Sequence, residues 1–230
     1  VKVMAVLIGL SPQPWGWKGC FQYVYGGLIK MEKEEGVLTL DKRLELEATW
    51  LKYTEEGHKA HADRRYAFGE IKFIAALKAA EALAEGLQSS QVVSALNPAD
   101  PEEKARQRQD LERLSKGLNN LAALYQLQGK YQMAEELYER CLDIKLDLYG
   151  EEHLDTAVNL HNLATLHCAK RRFEKAEILF KRALEIREKL LGPDDEQLLP
   201  ILKNYAALLR KLEREEEAVR LEERIATLER

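Results

Sequence analysis

The chain repeats itself at a fixed interval. Asn120-Leu121-Ala122 returns as Asn162-Leu163-Ala164 and again as Asn204-Tyr205-Ala206, each step spanning 42 residues. The same interval relates Leu124, Leu166 and Leu208; Ala134, Ala176 and Ala218; Leu137, Leu179 and Leu221; and Arg140, Arg182 and Arg224. Gly150 and Gly192 close the first two units in this register. Chance does not hold one interval across so many positions, so the fold must be built by reusing one supersecondary unit.

Each unit reads as two amphipathic helices. Leu118, Leu121, Ala122 and Tyr125 share a helical face by their i, i+3, i+4, i+7 spacing, and beyond Gly129 the set Ala134, Leu137, Tyr138 and Cys141 repeats the pattern. Ala122 and Ala134 are small enough for two helices to approach closely, and Tyr138 is large enough to reach a neighbouring pair. One pair alone cannot bury both of its faces, so the units must stack.

These residues resemble the tetratricopeptide repeat, whose signature runs Trp or Leu, two residues, Leu, Gly or Ala, two residues, Tyr, and then Ala, Phe or Tyr, and Ala in the second helix. Leu118, Leu121, Ala122, Tyr125, Ala134, Tyr138 and Cys141 carry the likeness in the first unit; Leu160, Leu163, Ala164, Ala176, Phe180 and Ala183 carry it in the second. The long period, with LNNLAALY and LYGEEHLDTA, is similar to the kinesin-light-chain-like 42-residue subtype, and the likeness covers residues 116–230. It implies an all-α, right-handed superhelical solenoid of antiparallel helix pairs, and a non-catalytic scaffold that binds a protein or peptide.

The expected layout has four parts. Residues 1–38 are a leader, residues 39–85 a degenerate first helix pair, residues 86–100 an inserted loop, and residues 101–230 three repeat units. Aligning Tyr66 with Tyr131 places Gly57 at the position of Ala122, Gly69 at Ala134 and Phe73 at Tyr138. Asp100-Pro101-Glu102-Glu103 starts a helix by its cap, its early proline and its acidic first turn. That helix would carry KARQRQDLER as a polar, solvated extension. In the last unit Glu215 and Glu222 replace the aromatic residues of the earlier units, as a capping repeat requires. Pro200, in the third unit's first helix, should start or kink that helix.

Composition excludes several functions. The net charge of −4 lacks the basic excess used to bind nucleic-acid phosphates, and no apolar run reaches the ~18 residues of a membrane span. Cys20, Cys141 and Cys168 do not form a disulfide framework and fit a reducing, cytoplasmic setting. VKVMAVLIGL has a short apolar run, but SPQPWGWKG follows where a signal peptide would have a small-residue cleavage site. His161, His167 and Cys168 match no zinc spacing, and His58 with His61 reads as a solvated pair. Gly26-Gly27 lacks the Lys and Ser or Thr of a phosphate loop. Neither a catalytic centre nor a cofactor or metal site is expected.

The binding expectation rests on the asparagines. Asn120, Asn162 and Asn204 hold one position in three units, facing away from their own pair's seam, and the resemblance places that position on the groove. An amide offers donors and an acceptor, so a column of amides can satisfy an extended main chain whatever its side chains are. Asn119, His161, Lys203, Gln126 and Arg210 would tune specificity, with Lys203 and Arg210 favouring an acidic or C-terminal carboxylate group. A competing reading has the asparagines bonding adjacent helices to fix the repeat geometry. Two further alternatives are a regulatory fragment of a larger signalling ATPase or protease, and a homo-oligomer assembled through the N-terminal region or the long polar helix.

Overall fold

Turn residues divide the chain into helices of nearly uniform length. The computed structural model describes residues 38–84 and 101–229. Its α-helices are α1 Leu40–Ala62, α2 Tyr66–Leu83, α3 Pro101–Leu127, α4 Tyr131–Tyr149, α5 Leu154–Ala169, α6 Phe173–Leu191, α7 Leu199–Lys211 and α8 Glu215–Leu228. Among the described residues one 3-10 turn, Glu196–Leu198, leads into α7. The helices pack as sequential antiparallel pairs, the all-α arrangement expected of a tetratricopeptide solenoid. The leader with its Trp15, Trp17, Phe21, Tyr23 and Tyr25 and the inserted loop 86–100 lie outside the described residues, save residue 38.

The two helices of each pair reverse through one residue in the left-handed region: Arg64 (φ 58°), Gly129 (φ 74°), Arg171 (φ 56°) and Glu213 (φ 59°). The last three are one repeat apart. Glycine takes this conformation freely, whereas an L-residue pays roughly 1 kcal/mol. The backbone therefore keeps the period where the residue type has lost it. The turn is closed each time by the same bond five residues back, as in Lys130 N–H to the Tyr125 carbonyl at 2.9 Å and Arg172 N–H to the His167 carbonyl at 2.9 Å.

The repeat register is also the burial register. Ala122, Ala164 and Ala206 are buried at one helix crossing, and Ala134, Ala176 and Ala218 at its counterpart. Cys141 is buried and its thiol donates to the Ser115 carbonyl at 3.2 Å, a packing role. Within α1 and α2 the approach is closer still: a methyl group at Gly57 would sit 2.4 Å from Phe73 Cε1, so a side chain there would have to displace the Phe73 ring.

Pro200 starts α7 and does not kink it. It is the second residue of the helix, where a missing N–H costs nothing, and the Asp195 carboxylate accepts from the Gln197 N–H at 2.7 Å in the turn before it.

One expectation needs correction. The N-terminal part of α3 is not simply solvated: Asp110 is 3% exposed and Leu111 2%. Arg43 of α1 donates to both Asp110 oxygens at 2.7 Å, and Arg113 donates at 2.9 Å. Burial pushes the Asp110 carboxyl above its usual range while the two guanidiniums oppose that shift. A charged residue in a polar run reads as solvent-facing until its partner on another helix is known.

Candidate interaction site

The repeated asparagines lie on the first helices of successive pairs, and their side chains connect those helices. Asn120 of α3 pairs through Nδ2 with His58 Nε2 of α1 at 3.3 Å. Asn162 of α5 donates to Asn119 Oδ1 of α3 at 2.8 Å. Asn204 of α7 pairs with His161 Nε2 of α5 at 2.8 Å. Each repeated amide thus reaches back to the preceding helix, giving a column that runs from α1 to α7. Asn119 and His161 are its acceptors, a part that sequence reasoning did not give them. Their identities differ, yet amide oxygen and neutral imidazole nitrogen both accept a hydrogen bond.

In α1 the column shifts by one helical turn. The alignment of Tyr66 with Tyr131 puts Thr54 at the place of Asn119, but His58 makes the bond. Its ring packs edge-on against Phe73 with centroids 5.3 Å apart.

The column requires an unprotonated His161. Burial, with Arg187 adding repulsion, pushes the His161 pKa down to about 4, so Nε2 is free to accept from Asn204 at neutral pH. Its ring is braced by Phe180 at 5.7 Å. His167, one turn and a half along α5, is buried and likewise pushed down to about 4, burial outweighing the opposing pull of Glu135.

The remaining expected residues divide into two groups. Gln126 donates to Thr165 Oγ1 at 3.3 Å, and Thr165 donates to the Asn162 carbonyl at 2.7 Å, so Gln126 joins the column's flank. Lys203 and Arg210 are already occupied by acids. Lys203 pairs with Glu229 at 2.6 Å, while Arg210 binds both oxygens of Glu222 at 3.1 and 2.7 Å and also pairs with Glu215. A carboxylate ligand would have to exchange with these partners.

The tetratricopeptide repeat profile matches residues 113–189 and again 159–228, together half of the chain. The chain belongs to the tetratricopeptide repeat family. Among solved structures it is similar to BtubC (BKLC) from P. vanneervenii, at 23% identity and a TM-score of 0.49, over 80% of this chain and 73% of that one. It is also similar to the nearly identical TPR-like repeats assigned to a kinesin light chain of Podosopora anserina, at 20% identity and a TM-score of 0.49, over 81% of this chain and 96% of that one. No curated protein matches the sequence.

Within this tetratricopeptide array, two further columns of contacts escaped the sequence reading. Glu135 accepts from Arg172 at 2.8 Å, and Glu177 from Arg214 at 2.7 Å, each pair one repeat from the other. Glu70 and Lys130, at 2.8 Å, make the equivalent pair one unit earlier. On another side Arg140 reaches Glu81 at 2.6 Å, Arg182 reaches Glu151 at 3.2 Å, and Arg224 reaches Glu188 and the Pro193 carbonyl. The signal was available: Glu135 and Glu177, like Arg172 and Arg214, keep the 42-residue interval. Tetratricopeptide repeats generally serve protein interaction, and among the described residues no helix is long and apolar enough to cross a membrane.

Proposed function

We propose that this tetratricopeptide chain is a non-catalytic module that binds an extended segment of a protein partner along α3, α5 and α7. Stacked helix pairs curve so that their first helices line an inner face, the usual binding surface of a solenoid. The observation that carries the reading is the amide column. Each of Asn120, Asn162 and Asn204 spends one N–H on its neighbour, and its Oδ1 has no hydrogen-bond partner among the described residues. One face of the column therefore retains acceptors and donors at a regular interval, the complement of a peptide main chain. The inter-helix bonds hold the amides in place, so the scaffold role and the binding role belong to the same side chains.

Side-chain preference comes from the flank. Gln126, Asn119 and His161 offer polar contacts, and Lys203 with Arg210 selects an acidic residue only by exchange with Glu229 and Glu222. The test is selection of peptides from a random display library, followed by titration of a selected peptide into wild type and an Asn120→Ala, Asn162→Ala, Asn204→Ala variant. The variant should keep its helical circular dichroism and bind at least about tenfold more weakly, equivalent to about 1.4 kcal/mol. Equal affinity in a folded variant would refute the amide-binding reading.

A further inference from the structure

One repeat position near the ends of the second helices faces the acceptor position of the first helices, and its charge follows what it faces. In the third unit Glu229 pairs with Lys203 at 2.6 Å, so the two positions touch. One repeat earlier they are Arg187 and His161, and two repeats earlier Lys145 and Asn119. The position is therefore basic beside an uncharged acceptor and acidic beside a lysine. The two bases are anchored alike. Lys145 donates to the Asp155 carbonyl at 3.1 Å and Arg187 Nη1 to the Gln197 carbonyl at 2.6 Å, each tied to the segment that starts the next first helix.

Arg187 differs from Lys145 in its surroundings. Lys145 has the Asp155 carboxylate at 3.8 Å, whereas Arg187 makes no ion pair among the described residues and its buried Nε has no hydrogen-bond partner. The guanidinium thus stands unneutralised beside His161, and the acid that acts on it at longer range is Asp195, in the turn before α7. The groups packed on the imidazole, Phe180 from α6 and Asn204 from α7, are uncharged, and Lys203 beside Asn204 is turned to Glu229. A positive charge on His161 would face Arg187 with no acid between them. We infer that Arg187 is a positioning residue of the interaction face: it keeps His161 neutral and accepting, and so holds the Asn204 amide with its Oδ1 turned to the partner. The inference rests on the amide-binding reading.

A protonated imidazole donates from both ring nitrogens and cannot accept from Asn204. The amide would then turn Oδ1 towards the ring, and the oxygen offered to the partner would be engaged within the chain. Burial alone disfavours the protonated state, and repulsion from Arg187 adds to it, which is why the His161 pKa lies at about 4. Asn119 in the first unit is an amide and needs no such guard. In the third unit Lys203 cannot accept at all, and the guarding position holds an acid that neutralises it.

NMR titration of the His161 ring nitrogens in the full chain tests the inference without a ligand. Wild type and Arg187→Lys should share a midpoint near 4, since lysine fills the equivalent position of the first unit, whereas Arg187→Glu should raise it towards 6.5 and Arg187→Gln part of the way. All three variants should keep the helical circular dichroism of wild type, and Arg187→Gln gives the same ordering should the glutamate disturb the fold. The display-selected peptide supplies the second readout. The affinity lost by Arg187→Glu relative to wild type should be about fivefold greater at about pH 5.5 than at about pH 8, the worth of one hydrogen bond, and Arg187→Lys should show no such difference. A His161 midpoint that stays near 4 in both Arg187→Glu and Arg187→Gln overturns the inference, as does a raised midpoint with an affinity loss equal at the two pH values. The Asn120→Ala, Asn162→Ala, Asn204→Ala variant separates the two failures: if it binds as wild type does, the amide-binding reading falls as well, and if it binds weakly, the inference alone falls.

Discussion

The middle unit, α5–α6, and the last unit, α7–α8, use the same positions for opposite chemistry. Phe180 is 1% exposed and stacks on Tyr205 with ring centroids 6.0 Å apart, whereas Glu222 at the same repeat position is exposed and holds Arg210. His161 accepts from the next helix's asparagine; Lys203 at the same position cannot accept and pairs with Glu229. Where a neighbouring unit packs on a position, the residue is apolar or an acceptor. Where the unit's own side chains supply the contact, it is charged. The residue type at a repeat position reports what lies against it more than which fold it belongs to.

This contrast can be broken most forcefully by truncation at the shared position. Phe180→Ala should destabilise by about 3–5 kcal/mol, the cost of emptying a filled core site, while Glu222→Ala should cost far less because it removes only exposed ion pairs. Urea denaturation of both variants reads the difference; equal costs would mean that the last unit packs like the middle one.

Acid should weaken the middle unit. His161 and His167 have folded pKa values near 4, below the 6.5 of an unperturbed histidine. Because the folded state resists their protonation, their contribution is complete above about pH 6.5 and is lost as the pH falls towards 4. The loss should be on the order of 2 kcal/mol, after allowing for solvent screening of the half-buried His161. His161→Gln keeps an acceptor for Asn204 and removes one titration, so its stability should fall less steeply over that interval. An unchanged slope in this variant would contradict a neutral, column-bound His161.

The amide column should show the same gradient on a smaller scale. Asn162→Ala removes a half-buried amide-to-amide bond and should cost roughly 1 kcal/mol, against a few tenths for exposed Asn204→Ala. The turns should show effects of comparable size and of both signs. Arg171→Gly and Glu213→Gly should stabilise by about 0.5 kcal/mol, because both residues sit in the left-handed region, and Gly129→Ala should destabilise by about 1 kcal/mol. Thermal melts of the three variants check the signs.

The periodic part of this molecule was legible in the sequence because burial repeats with it. Ala122, Ala134 and their equivalents are buried wherever the interval predicts. Pro200 was legible as a helix start or a kink, and the turn before α7 decides between the two. What escaped depended on pairing across helices. Asp110 looks like any acid in a polar run until Arg43, far away in sequence, folds against it. Asn119 looks variable because its counterparts are His161 and Lys203, yet two of the three share the capacity to accept. The period in residue type revealed the repeated donor; the acceptor is conserved only in chemistry, which a residue-by-residue comparison does not register.

The central claim is that Asn120, Asn162 and Asn204 act together as one surface for an extended main chain. Side-chain amide NMR resonances of these three residues, followed while a library-selected peptide is titrated in, test it directly. The three NH2 pairs should shift together, with a common midpoint equal to the dissociation constant. Saturating binding that leaves all three resonances in place would contradict the account.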